Sequence, residues 1–278
     1  MSSRGNKRRM ARHEARRKRI ALHWQALLYQ QAVAYVIVLV LWVLPLPNPV
    51  KLLAVTFHEI SHAIAALLTG GSVIGFAIAP NGAGVTFGLG GNLFLILVAG
   101  YTGSCLWGAL LYYLSVRWRA AWCLVALETF VLITAFLGWL NDFTATFGLA
   151  SVALMTVLFW TPEWVQTFFI RLVGSASCLY APLEVAGELV RMGQAPQVMG
   201  YRTASDVEQL AALTGVPGLL IVLALLAVQG TLVYGLIRWT CRHGAREKVR
   251  GEDAEERALR NRIKELRQIT RVGNSFRR

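Results

Sequence analysis

Apolar residues fall in long, nearly uninterrupted runs along most of this chain, separated by short polar or glycine- and proline-rich stretches. The runs cover about 24–44, 50–69, 93–116, 121–140, 144–160, 164–183 and 216–237. A helix needs roughly 20 apolar residues to cross the hydrocarbon core of a bilayer. The spacing therefore predicts an all-α polytopic membrane protein with six to seven transmembrane helices. Pro45, Pro47 and Pro49 break the chain after the first run, and Gly70-Gly71 stops the second.

Residues 72–92 carry a different pattern. Strand-forming residues from Ser72 to Ala79 lead to a turn at Asn81-Gly82, and Val85-Thr86-Phe87 follows before a glycine cluster. This predicts a small β-hairpin directly after the second helix. An open sheet edge cannot face lipid, so the hairpin is expected at the surface or in a protein-lined cavity. It is either a plain loop or an edge for an extended peptide. In the third run, Gly100, Gly103, Ser104 and Gly108 permit close helix approach. The fourth run contains Glu128 and the sixth Arg171, and residues 185–214 are polar and mixed. Past the last run, Leu259, Ile263, Leu266 and Ile269 recur at helical spacing in a basic tail, as in an amphipathic helix lying on a membrane.

Composition sharpens this picture. The chain is 55% hydrophobic and only 15% charged, which excludes an ordinary soluble domain. The net charge of +13 sits at the ends: nine of the 28 Lys and Arg fall in residues 1–19 and thirteen in 238–278. Three parts follow: a basic cytoplasmic arm at 1–23, a transmembrane domain at 24–238 and a charged amphipathic tail at 239–278. Such ends set topology and meet anionic lipid, and no nucleic-acid partner is expected. The first run lacks a cleavage site of small residues and reads as a retained span. The arm places the N-terminus in the cytoplasm. Seven spans would then leave the basic tail outside, so either the Arg171 run does not span or the tail is an exception. Cys105, Cys123, Cys178 and Cys241 form no C-x-x-C pair and read as buried small hydrophobes.

The candidate chemistry lies in the second run, where His58-Glu59-Ile60-Ser61-His62 forms H-E-x-x-H. Positions four apart share a helix face, so His58 and His62 can present ring nitrogens to one metal ion. Glu59 beside them can act as the catalytic base toward an attacking water. Structural polar residues satisfied within a core would give the same pattern. In a bilayer, however, each ionisable group costs roughly 2.5–3.5 kcal/mol, and three in five residues argue for a use. A catalytic zinc site usually takes three protein ligands. The body has no further histidine, which leaves Glu128, Asp142, Glu184, Glu188 and Asp206 as carboxylate candidates.

From Leu53 to Leu226 the chain resembles the site-2 proteases, intramembrane zinc metallopeptidases, in their short branch without a PDZ domain. The shared elements are His58-Glu59-Ile60-Ser61-His62, Leu67-Leu68-Thr69-Gly70-Gly71, Gly82-Ala83-Gly84-Val85-Thr86, Ala99-Gly100-Tyr101-Thr102-Gly103-Ser104, Cys178-Leu179-Tyr180, Ser205-Asp206 and Leu213-Thr214-Gly215-Val216-Pro217. The resemblance implies a Zn2+ enzyme of a bacterial plasma membrane, cutting membrane protein substrates in or near their spans. It implies Glu59 as catalytic base, His58 and His62 as zinc ligands, and Gly100 and Ser104 beside the bound peptide. Ser104 stands where the wider family has asparagine. Glu184 stands where the family has its aspartate ligand, with Asp206 as the alternative, and Glu188 matches another acidic position. Two other classes compete: a non-catalytic scaffold or metal-binding regulator that retains the site, and a transporter using Glu128 and Arg171, for which no repeated half is found.

Overall fold

The computed structural model describes residues 3–43, 48–190, 197–198, 201–202 and 204–275. It divides into two units, residues 31–237 and the two chain ends, 1–30 with 238–278. The larger unit holds the end of α1 (Ser3–Val43), then α2 (Pro49–Leu68), a hairpin of β1 (Ser72–Ile78) and β2 (Gly84–Leu89), α3 (Leu93–Arg117), α4 (Ala120–Thr134), α5 (Asp142–Phe159), α6 (Glu163–Val190), α7 (Asp206–Thr214) and the start of α8 (Gly218–Ser275). Six helices among the described residues are long and apolar enough to cross a membrane: α1, α2, α3, α4 with its 3-10 extension, α5 and α8. The Arg171 helix, α6, falls outside that set. Its polar residue is met within the protein, where Arg171 Nε donates to Ser115 Oγ at 3.4 Å and the guanidinium lies over the Tyr112 ring.

Helix α2 is the innermost element, and every residue from Leu52 to Ala63 is buried. Its start is encoded locally: the Asn48 side chain accepts from the amides of Val50 and Lys51 at 3.0 and 3.1 Å, and Pro49 takes the first helical position. Its end is set by Gly70, whose φ of +84° suits a left-handed stop. The helix packs against α3, α6 and both strands. Phe57 stacks on Trp107 of α3 and meets Phe130 of α4 at 5.1 Å between ring centroids. Helices α3 and α6 cross at Gly108 and Gly174, where a Cβ on Gly108 would lie 2.5 Å from the Gly174 carbonyl oxygen. The absent side chains let the two backbones touch.

The hairpin predicted after α2 is present, with Ser72 opposite Leu89 at its base and Ile78 opposite Gly84 near the turn. It is tied into the protein interior. Phe76 donates its amide to the Gly138 carbonyl at 2.9 Å and accepts from the Leu140 amide at 3.0 Å, so β1 is flanked on both sides. Ile78 donates its amide to Thr144 Oγ1 and accepts from Asn141 Nδ2. The strand's polar groups are therefore met by protein rather than lipid. This pairing also corrects the predicted fourth run: helical structure stops at Thr134 with a short turn to Leu137, and Gly138 (φ +91°) redirects the chain alongside β1.

In the smaller unit, Arg19 donates to Asp253 at 2.6 Å, and His23 Nε2 lies 2.8 Å from a Glu252 oxygen. Cys241, Ala245 and Val249 are buried, while Leu259 and Ile263 are exposed. The side chains of Leu266 and Ile269 lie outside the described residues. The basic arm and the first span are one helix, α1, and the last span continues into the tail as α8.

Candidate metal centre

The central helix carries His58 and His62 one turn apart, and the two Nε2 atoms lie 3.0 Å from each other. Their ring orientations are fixed in different ways. His62 donates from Nδ1 to the Ile96 carbonyl at 2.7 Å, which leaves Nε2 as the nitrogen that could bind a metal. His58 Nδ1 has no hydrogen-bond partner among the described residues. Its ring is instead held edge-on by Tyr101 of α3 and Tyr180 of α6, each 5.2 Å away between centroids. Gly100 makes room for the pair: a Cβ there would lie 2.4 Å from His62 Nε2 and 2.7 Å from His58 Cε1. Gly103 does the same for Ser61, at 2.2 Å from its hydroxyl. The small residues on α3 thus draw that helix directly against the histidines.

The third member is Asp206, whose Oδ2 is 3.0 Å from both Nε2 atoms. It is the first residue of α7, and the start of that helix is locked by a capping box. Ser205 Oγ accepts from the Glu208 amide at 3.2 Å, and the Glu208 carboxylate accepts from the Ser205 amide at 3.0 Å. Burial opposes ionisation of Asp206, but His62 and His58 override it and hold the carboxyl below the usual carboxylate range. One ligand atom from each of His58, His62 and Asp206 lies within 4.8 Å of the others. Two imidazoles and a carboxylate around one point are a fitting donor set for a transition-metal ion with a position left open.

Glu184 does not join this group. Its Oε2 is 3.7 Å from Lys51 Nζ, and Lys51 sits two turns before His58 on α2. One turn earlier on α6, Tyr180 takes the place beside His58. Glu184 still lines the same cavity, and of the two carboxylates weighed from the sequence it is Asp206 that lies with the histidines. Ser104 is fully buried and donates back to the Tyr101 carbonyl at 3.0 Å. Glu128 accepts from Thr156 at 2.8 Å, between α4 and α5. Asp142 opens α5, and the side chain of Glu188 lies outside the described residues.

Glu59 is buried beside His58 and faces the hairpin. Thr86 Oγ1 lies 2.7 Å from Glu59 Oε2 and 2.9 Å from the Glu59 carbonyl oxygen. The cavity here measures about 880 Å³ and is lined by His58, Glu59, His62 and Asp206 together with residues of β2. In the sequence Thr86 stands among the neighbours Gly82-Ala83-Gly84-Val85, 27 positions from Glu59. The signal available was the alternation of Gly84 and Thr86 on one face of a strand following an H-E-x-x-H helix.

The Peptidase M50B-like family model matches residues 31–236, nearly the whole of the larger unit. The chain belongs to this family. Its site-2 protease resemblance agrees with that membership. No curated protein and no solved structure matches the chain. With six helices among the described residues long and apolar enough to cross a membrane, it is an integral membrane member of the M50B-like peptidases.

Proposed function

We propose that this M50B-like protein is a zinc-dependent intramembrane endopeptidase acting on membrane-spanning or juxtamembrane segments of other proteins. The observation that carries the reading is the convergence of His58, His62 and Asp206 on one point, beside buried Glu59, in a cavity walled by a strand edge. His58 and His62 through Nε2, and Asp206 through a carboxylate oxygen, would hold the ion. When bound, zinc supplies Lewis acidity that polarises the scissile carbonyl and acidifies the attacking water. Glu59 takes the proton from that water and returns it to the leaving amide nitrogen.

The substrate must be unwound before its amide can be attacked, because a helix buries its own peptide bonds. Strand β2 supplies a receptor for the unwound form. Phe76 of β1 turns its amide and carbonyl toward residues 138 and 140, so its partner Thr86 turns its own amide and carbonyl to the opposite, outer edge. Among the described residues β2 pairs only with β1, and its edge residues line the cavity. A peptide added there as a third strand runs past the metal centre. The N-terminus is proposed to be cytoplasmic, with the basic ends on anionic lipid.

The test is zinc content and cleavage of a helical membrane substrate by purified protein. Glu59→Gln should keep zinc and lose cleavage, whereas His58→Ala, His62→Ala and Asp206→Ala should lose both. Zinc content unchanged in all three ligand variants would overturn the metal centre. Full cleavage by Glu59→Gln would assign the base elsewhere. Zinc binding with no cleavage of any helical substrate would favour the regulator class.

A further inference from the structure

We infer that Thr86 is a positioning residue that couples peptide docking to the placement of the catalytic base; this rests on the reading of Glu59 as that base. Three observations meet at Thr86. Its hydroxyl lies 2.7 Å from Glu59 Oε2, the shortest hydrogen bond made by that carboxylate among the described residues. Its backbone amide and carbonyl face the outer edge of β2, as fixed by the partner Phe76. Two residues earlier on the same face, Gly84 leaves open the space that Glu59 fills: a Cβ on Gly84 would lie 2.2 Å from Glu59 Oε1.

The consequence is geometric. A glutamate on an apolar helix has several rotamers, and only some direct its carboxylate to the reacting water. The Thr86 hydroxyl selects one, and a hydrogen bond to an ionised acceptor is among the stronger kinds. A carboxylate has about four lone-pair sites, so donation from Thr86 leaves the others for the proton. The strand that receives the peptide is the strand that holds the base. A peptide seated on β2 is therefore referenced to the same strand that orients the Glu59 carboxylate, which sets the distance between them. That is what a proton transfer within about 3 Å requires. Thr86 touches Glu59 and not the reacting atoms, so its effect reaches the chemistry through the base.

The experiment compares Thr86→Val, Thr86→Ser and Gly84→Ala with the parent and with Glu59→Gln. Valine keeps the β-branched shape and removes the hydroxyl. Thr86→Val should lower kcat about 10–100-fold with KM and zinc content unchanged, as expected for losing alignment of a general base while binding persists. Thr86→Ser should recover at least about half of the lost kcat on a logarithmic scale, because the donor is restored. Gly84→Ala should show the same kcat defect as Thr86→Val by pushing the carboxylate away. A readout independent of turnover is the unfolding midpoint of the metal-free protein. Thr86→Val should lower it more in the parent than on a Glu59→Ala background, where only the contact with the residue 59 carbonyl remains to be lost. Full cleavage by Glu59→Gln would defeat the reading of Glu59 as base and with it this inference. An inactive Glu59→Gln beside a Thr86→Val protein with parental kcat and an additive midpoint shift would overturn the inference alone. A rise in KM without loss of kcat would also overturn it, since the residue would then serve docking only.

Discussion

Gly100→Ala measures how closely α3 must approach for the metal centre to exist. The added Cβ would lie 2.4 Å from Cε1 and Nε2 of His62 and 2.7 Å from Cε1 of His58. Favourable carbon contacts settle near 3.5–4.0 Å, so helix or rings must yield by about 1 Å. The rings have little freedom. His62 is tied through Nδ1 to Ile96, four residues before Gly100 on the same helix, so a shift of α3 drags the His62 tether with it. His58 is held between Tyr101 and Tyr180, and Tyr101 also belongs to α3. Overpacking of this kind costs roughly 1–3 kcal/mol of stability. The larger effect falls on the ligands: zinc affinity should drop about 10–100-fold, the range seen when a ligand's orienting contacts are lost. Chelator competition against the purified protein gives the affinity, and thermal unfolding gives the stability term. Gly230→Ala on α8 is the control, since a Cβ there meets nothing within 4 Å. It should bind zinc as the parent does. Parental zinc affinity in Gly100→Ala would refute the claim that α3 is packed to its limit against the histidines.

Three further outcomes are expected. Asp206→Ala should abolish zinc binding measured by metal analysis, while Glu184→Ala should retain it; the reverse would return the ligand role to Glu184. Ser205→Ala should cost about 1 kcal/mol of local helix stability by removing the cap, and lower zinc affinity without touching a ligand, with Ser205→Thr restoring it; unchanged affinity in chelator competition would show that Asp206 needs no such anchor. N-methylation of a peptide substrate at alternate amides should raise KM at every second position only, because just those amides face β2; equal effects at neighbouring positions would remove the strand-addition mode.

What was legible beforehand was local. The prolines up to Pro49 and Gly70-Gly71 bracket α2, and Asn81-Gly82 marks the hairpin, because helix-breaking and turn chemistry act within a few residues. The third ligand was a long-range question. Lys51 reads in the sequence as one charge at the edge of an apolar run, and nothing local says that Glu184 will meet it. Ser205-x-x-Glu208 was a readable start for α7 in a stretch otherwise taken as mixed and polar. The central place of β1 was hidden for a different reason. Gly138-Trp139-Leu140 continues an apolar run, so periodicity extends the helix through it, whereas the structure uses its backbone to flank Phe76. Prolines placed along Val73–Ala79 therefore test whether the hairpin holds together, and β2 is the strand that tests peptide capture.

The pairing of His58 with Asp206 joins residues 148 positions apart. A ribosome delivers the H-E-x-x-H helix early and the aspartate much later. During that interval the nascent chain holds the two histidines of the proposed centre without its carboxylate. If the centre acts as proposed, cleavage must wait until α7 has been made. A fragment ending before residue 206 would carry the signature motif and still be inert. Under the proposed function, the order of synthesis sets when the centre can close, because its carboxylate is delivered last.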